Sequence, residues 1–111
     1  MTIKMKNYKH LLPKIKTFIF DVDGVLTDGK FLINSDGELL RSFDTKDGYA
    51  MKCALVKGFK IAIITGGRNE AVRERFRELG VIDIYLGAHN KLDAYQDLMD
   101  NYDFNPEEIL Y

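Results

Sequence analysis

Residues 18–29 read Phe18-Ile19-Phe20-Asp21-Val22-Asp23-Gly24-Val25-Leu26-Thr27-Asp28-Gly29, an apolar run that stops abruptly at two carboxylates. A short apolar run bounded by a glycine turn has the pattern of a buried strand. Side chains two apart on extended backbone share a face, so Asp21 and Asp23 can address one site. Carboxyl ends of strands are where open α/β sheets bind ligands. Two carboxylates at such an end suit a hard cation such as Mg²⁺, or a nucleophile paired with an acid. Asp and Gly are also ordinary turn residues. The apolar strand in front, and further polar groups downstream, argue for chemistry.

Those further groups are Thr65-Gly66, after the apolar run 60–64, and Lys91, beyond a short run at 82–85. If the runs are parallel strands, all three polar sets fall on one edge, and together they suit a phosphate ester. Asp21 would attack phosphorus. Asp23 would protonate the leaving oxygen and then activate water. Thr65 and the amides near Gly66 would hold phosphate oxygens at a helix start. Lys91 would neutralise phosphate charge and hold the nucleophile. A cation in the first turn of a helix is mildly unfavourable unless something nearby uses it. His10 and His89 have no metal-ligand spacing and are read as non-catalytic.

The elements that would position these groups follow from periodicity. Strand one is expected at about 17–21. Apolar-rich runs then flank Asn34-Ser35-Asp36-Gly37, a hairpin over the mouth of the site, with glycine supplying positive φ. A helix is expected over about 48–57, with Asp47 as its N-cap, Ala50, Met51, Ala54 and Leu55 as its apolar face, and Gly58 as its stop. Strand two is 60–64, apolar enough to be buried on both faces. A helix over 69–79 buries Val72, Phe76 and Leu79 and ends at Gly80. Strand three is about 82–85. A helix over 91–102, capped by Asn90, buries Leu92, Tyr95, Leu98, Met99 and Tyr102. Residues 107–111 begin another strand. The fold class expected is α/β, a Rossmann-like parallel sheet flanked by helices with a β-hairpin flap after strand one.

The 111 residues suit one domain, 1–111. Sixteen basic residues against 17 acidic ones give no sign of nucleic-acid binding. The basic stretch 1–16 reads as a solvated lead-in with a short turn around Leu11 and Leu12. A single cysteine, Cys53, excludes an internal disulfide and reads as a buried helical thiol. No apolar run approaches membrane-spanning length and no signal peptide is visible, so the expected location is cytoplasmic, without a membrane partner.

The motifs resemble those of the haloacid dehalogenase-like hydrolases. Asp21-Val22-Asp23-Gly24-Val25 is similar to their first motif, Ile63-Ile64-Thr65-Gly66 to their second and Lys91 to their third. Within that superfamily the chain is most similar to the small capless sugar-acid phosphatases. That likeness rests on 21–29, the hairpin, Thr45-Lys46-Asp47-Gly48, Ile64-Thr65-Gly66-Gly67-Arg68, Arg75 with Leu79-Gly80, and Tyr85-Leu86-Gly87 before Lys91. The resemblance implies a sheet of order 5-4-1-2-3 without a cap domain. It also implies Mg²⁺ held through Asp21 and Asp23, and a cytoplasmic homotetramer whose hairpins reach neighbouring sites. The substrate implied is a small-molecule sugar phosphate, the monoester of an eight- or nine-carbon sugar acid. Asp21, Asp23 and Lys91 would be catalytic. Thr65 and Gly66 would bind phosphate, and Asp47, Gly48 and Arg68 would face the substrate. The family's fourth motif, a Gly-Asp-Asp cluster after strand four, would begin where the chain ends at Tyr111, so a fold truncated at strand four is expected. The doubled Gly66-Gly67 also departs from the commoner single glycine. A binding remnant and a phospho-accepting receiver domain are the competing classes. Receivers carry their accepting Asp after the third strand, which disfavours them here.

Overall fold

The computed structural model describes residues 14–111. The basic lead-in, the turn expected around Leu11 and Leu12, and His10 lie outside the described residues. The chain orders β1 Thr17–Phe20, β2 Leu32–Ile33, β3 Leu39–Leu40, α1 Thr45–Val56, β4 Lys60–Ile64, α2 Glu70–Glu78, β5 Asp83–Tyr85, α3 Lys91–Tyr102, a 3₁₀ turn Pro106–Glu108, and β6 Ile109–Leu110. Strands β5-β4-β1-β6 form one parallel sheet. Leaving out the hairpin strands, that order is 3-2-1-4, which is contained in the expected 5-4-1-2-3. Strand β4 pairs β1 from Thr17↔Lys60 to Phe20↔Ile63, so Asp21 and Thr65 emerge from neighbouring strands at the same edge.

The sheet is covered on both faces, as the apolar run of β4 requires. Ile61 and Ile63 pack with Met51, Val72, Phe76 and Leu79 beneath α1 and α2. Ala62 and Ile64 pack with Ile19 and Leu98 beneath α3. Helix α2 starts at the Asn69 cap and is followed by Gly80 at φ 101°. Helix α3 starts at the Asn90 cap, as expected. Leu92 is a correction, being 76% exposed, while Leu98 carries the contact with the sheet. Cys53 lies on α1 but is only partly buried, and Ala50 is exposed rather than on the apolar face.

The start of α1 is also corrected. The N-cap is Asp44, not Asp47: the Asp44 carboxylate accepts a 2.7 Å hydrogen bond from the Lys46 amide, so the helix begins three residues earlier than expected. Gly48 is inside the helix because a side chain there would crowd α2. An added Cβ would sit 3.1 Å from Arg75 Nη2 and 3.3 Å from Leu79 Cδ2.

No helix among the described residues is long and apolar enough to cross a membrane. The hairpin stands clear of the core: Leu32 and Ile33 are 73% and 72% exposed. Its turn is closed by the Asn34 side chain, which accepts from the amides of Asp36 and Glu38. Gly37, at φ 81°, supplies the expected left-handed residue.

The corrected cap gives a stability test. Asp44→Ala is expected to cost about 1 kcal/mol. Asp47→Ala, which removes only a first-turn charge, is expected to cost less, about 0.3–1 kcal/mol. Urea unfolding followed by circular dichroism measures both, and the order reverses if Asp47 is the cap.

Candidate active site

The segment after β1 is wound around Val22. Its side chain is buried in the core, and its carbonyl accepts from the amides of Val25, Leu26 and Thr27. With Val22 fixed inward, backbone alternation turns Asp21 and Asp23 outward together. Thr27 Oγ1 accepts from the amides of Gly24 and Gly29 at 3.3 and 3.2 Å, which closes the loop.

Each carboxylate meets a cation from elsewhere in the chain. Lys91 Nζ, in the first turn of α3, donates to Asp21 Oδ2. Asp21 Oδ1 accepts from the Val22 amide at 2.7 Å. Arg41, just past β3 of the hairpin, forks onto Asp23, with Nε 2.8 Å from Oδ1 and Nη2 3.4 Å from Oδ2. The hydrogen bond to Asp21 raises the Lys91 pKa above its ordinary value. Burial opposes this, and the charges of Asp21 and Asp23 add to it.

Thr65 is 2% exposed at the end of β4. Its amide donates to the Tyr85 carbonyl, its carbonyl accepts from Ala88, and the Gly67 carbonyl accepts from Gly87. The turn after β4 is thereby pinned to the turn after β5. Thr65 Oγ1 accepts from the Gly67 amide at 3.3 Å. The same turn lies against Arg41, since a Cβ on Gly67 would be 2.7 Å from Arg41 Nη2 and 3.7 Å from Thr65 Oγ1. Asp21, Asp23, Lys91, Thr65 and the Gly66-Gly67 turn thus meet at one edge.

The remaining candidates are placed apart. Arg68 crosses Gly87 and contacts the His89 ring. Asp47 lines a neighbouring open cavity of about 400 Å³ with Asp28, Ser42 and Asp44. Gly48 is turned toward α2. Arg41 and Tyr111 are not among the site residues that the sequence suggests. Tyr111 and Asp21 share an apolar cavity of about 260 Å³ with Phe20, Val25 and Leu110, and burial raises the Tyr111 pKa.

The donor set bears on a metal. No group of three or more His, Cys, Asp or Glu side chains converges among the described residues. The Asp21 carboxylate and the Asp23 backbone carbonyl, completed by substrate phosphate and water, would nonetheless give the oxygen set that Mg²⁺ ordinarily accepts. The residues fit Mg²⁺ to that extent.

The Lys91–Asp21 pair carries a pH signature. Lys91 stays protonated to higher pH in the folded chain than in the unfolded one. Its contribution to stability is therefore fully present below about 10.5 and is lost as pH rises through the folded value. Thermal midpoints of the chain and of Lys91→Met, measured from pH 8 to 12, should differ by a constant amount up to about 10.5 and converge above it. A gap that closes below pH 9 would contradict the pair.

No family model matches the chain. The 3-deoxy-D-manno-octulosonate 8-phosphate phosphatase KdsC of Salmonella typhi is 40% identical over 105 residues, covering 92% of this chain and 56% of that protein. A Legionella pneumophila protein described as a HAD superfamily (subfamily III A) hydrolase matches with a TM-score of 0.88 and 38% identity, covering 95% of this chain and 58% of that one. The Moraxella catarrhalis 3-deoxy-D-manno-octulosonate 8-phosphate phosphatase, in complex with magnesium, phosphate and KDO, matches with a TM-score of 0.87 and 32% identity, covering 96% and 61%. The chain spans a little over half the length of these relatives.

Proposed function

We propose that this chain, which belongs to the haloacid dehalogenase-like hydrolase superfamily, serves a Mg²⁺-dependent phosphatase acting on the phosphate monoester of a small acidic sugar. The observation that carries this is the lysine seated on the first of two strand-end carboxylates, beside a buried threonine turn. Relatives named as 3-deoxy-D-manno-octulosonate 8-phosphate phosphatases support that ester as substrate; a nine-carbon sugar-acid phosphate is the other candidate.

Asp21 is the nucleophile. One of its oxygens bonds phosphorus while the ester P–O bond breaks; Asp23, entering this step as the carboxylic acid, gives its proton to the departing sugar oxygen, which leaves an aspartyl-phosphate, a sugar alcohol and an Asp23 carboxylate. Asp23 then takes a proton from water, whose oxygen displaces Asp21 and releases inorganic phosphate. Lys91 holds Asp21 in line and offsets charge that accumulates on phosphorus. Thr65 and the amides of the Gly66-Gly67 turn receive the phosphate oxygens, at the approach to α2. Asp21 and Asp23 would hold Mg²⁺, which would supply charge shielding between the nucleophile and the dianion it must approach. Asp47, Gly48 and Arg68 stand as substrate-side residues at greater remove. Unaided phosphate-monoester hydrolysis is so slow that enzymes accelerate it by up to ~10²¹, which calls for all of these groups together.

The sparse carboxylate set favours one competing reading, a binding remnant without turnover. Calorimetry of the 111-residue chain with Mg²⁺ and a phosphate analogue separates the two, because metal-dependent phosphate binding counts against the remnant.

Activity is tested by phosphate release from a panel of sugar-acid phosphates in the presence of Mg²⁺. Asp21→Asn should abolish turnover, and Asp23→Asn should lower kcat by about 10²–10⁴. Undiminished turnover in Asp21→Asn refutes the mechanism.

The protein is further proposed to be a homotetramer in which the exposed Leu32–Ile33 face of each hairpin reaches a neighbouring subunit while its Arg41 end stays on its own site. Leu32 and Ile33, exposed on a two-stranded ribbon that cannot bury them itself, support this. The double variant Leu32→Lys/Ile33→Lys should shift sedimentation toward monomer, and an unchanged assembly would exclude the hairpin as the contact.

A further inference from the structure

Arg41 stands out among the hairpin residues. Its neighbours Leu39 and Leu40 are 44% and 41% exposed, yet the Arg41 side chain is only 7% exposed. The β2–β3 register sets Leu32 opposite Leu40, so Phe31 falls opposite Arg41. The guanidinium carbon accordingly lies 4.9 Å from the Phe31 ring centroid. Beyond the ring the guanidinium forks onto Asp23 and abuts the turn after β4. A planar fork stacked on an aromatic ring is a site where lysine could not substitute fully.

Gly67 makes this seat available. It does not have positive φ, so its backbone does not itself demand glycine. What excludes a side chain is Arg41, whose Nη2 would lie 2.7 Å from an added Cβ. The departure from a single glycine noted in Thr65-Gly66-Gly67-Arg68 thus has a steric counterpart 26 residues upstream in the chain. Electrostatics gives the seat a purpose. Asp21 and Asp23 alone would repel a phosphate dianion. Lys91 cancels one charge and Arg41 the other, and Arg41 brings donors suited to phosphate oxygens.

We propose that Arg41 is a positioning and phosphate-binding residue delivered by the hairpin, that it latches the hairpin to the site through Asp23, and that Gly67 is the gap which seats it. The phosphate part rests on the function proposed above; the latch does not. When the ester arrives, the guanidinium shares its donors between Asp23 and the phosphoryl oxygens. Hairpin placement and substrate binding then become one equilibrium.

The test uses the 111-residue chain, Arg41→Gln, Gly67→Ala and the double variant. Orthophosphate binding with Mg²⁺ present is measured by calorimetry, and amide hydrogen exchange is followed over residues 31–41. Neither position belongs to the buried core, and circular dichroism verifies that each variant folds. Each single variant should weaken phosphate binding and speed hairpin exchange at least about tenfold. The double variant should be no worse than Arg41→Gln, because the methyl added at 67 keeps the backbone amide and acts by displacing Arg41. Unchanged exchange in either single variant, or additive effects in the double, overturns the proposal. If the unaltered chain takes up no phosphate, the phosphatase reading and the phosphate role of Arg41 both fail. The exchange data then still decide the latch.

Discussion

Two carboxylates two residues apart on one strand end repel each other, and holding both at one site calls for cations beside them. The rest of this architecture can be traced to that requirement. Val22 is driven into the core, which turns Asp21 and Asp23 to the same outer side. The cations must then come from distant parts of the chain. Lys91 lies 70 positions from Asp21 and Arg41 lies 18 from Asp23. A parallel sheet achieves this because every crossover returns its strand to the same edge. The two neutralising groups arrive by different routes, one on a helix start and one on a ribbon. They are therefore held with unequal rigidity.

That inequality has consequences for packing. Helix α3 is anchored by Leu98, which is fully buried against Ile19, Ala62 and Ile64, so Lys91 is delivered by a rigid element. The hairpin has two-residue strands and no buried side chain on either. An isolated two-stranded ribbon is marginal in water. Its described tie to the site is the Arg41 side chain, supported by Phe31. The pair is partly screened, since the Asp23 side chain is 32% exposed, and its worth lies more in orientation than in stability.

Much of this was legible before any coordinates. The apolar runs of β1 and β4, the Asp-x-Asp step, the Asn90 cap and the glycines at 37, 58 and 80 are local signals, each set by a few neighbouring residues. The start of α1 was misread because Asp44 and Asp47 both suit a cap and Gly48 looks like a boundary. Only the packing of Gly48 against Arg75 and Leu79 shows why a glycine belongs inside that helix. Leu92 has the right helical spacing, yet it is exposed and the contact with the sheet falls on Leu98. Arg41 could not be found by pattern at all. Its partner is set by where the ribbon folds back, and the one local hint was a second glycine at 67 with no turn that needs it.

Lys91 shows how a broken local rule can locate function. It is the first residue of α3, where the helix dipole disfavours a cation. Asn90 caps the amide of Leu92 and Asp93 adds an acid to the first turn, so the helix start is otherwise well made. The lysine is the discordant member, and an acidic or neutral residue there would serve the helix better. A residue that works against its own element is retained where another interaction outweighs the loss, and here that interaction is the Asp21 carboxylate. The same reasoning applies to Arg41, a charged side chain withdrawn from solvent on an otherwise exposed ribbon. In both cases the local cost falls on the cation and the benefit on the carboxylate. The carboxylates are therefore what the surrounding elements serve.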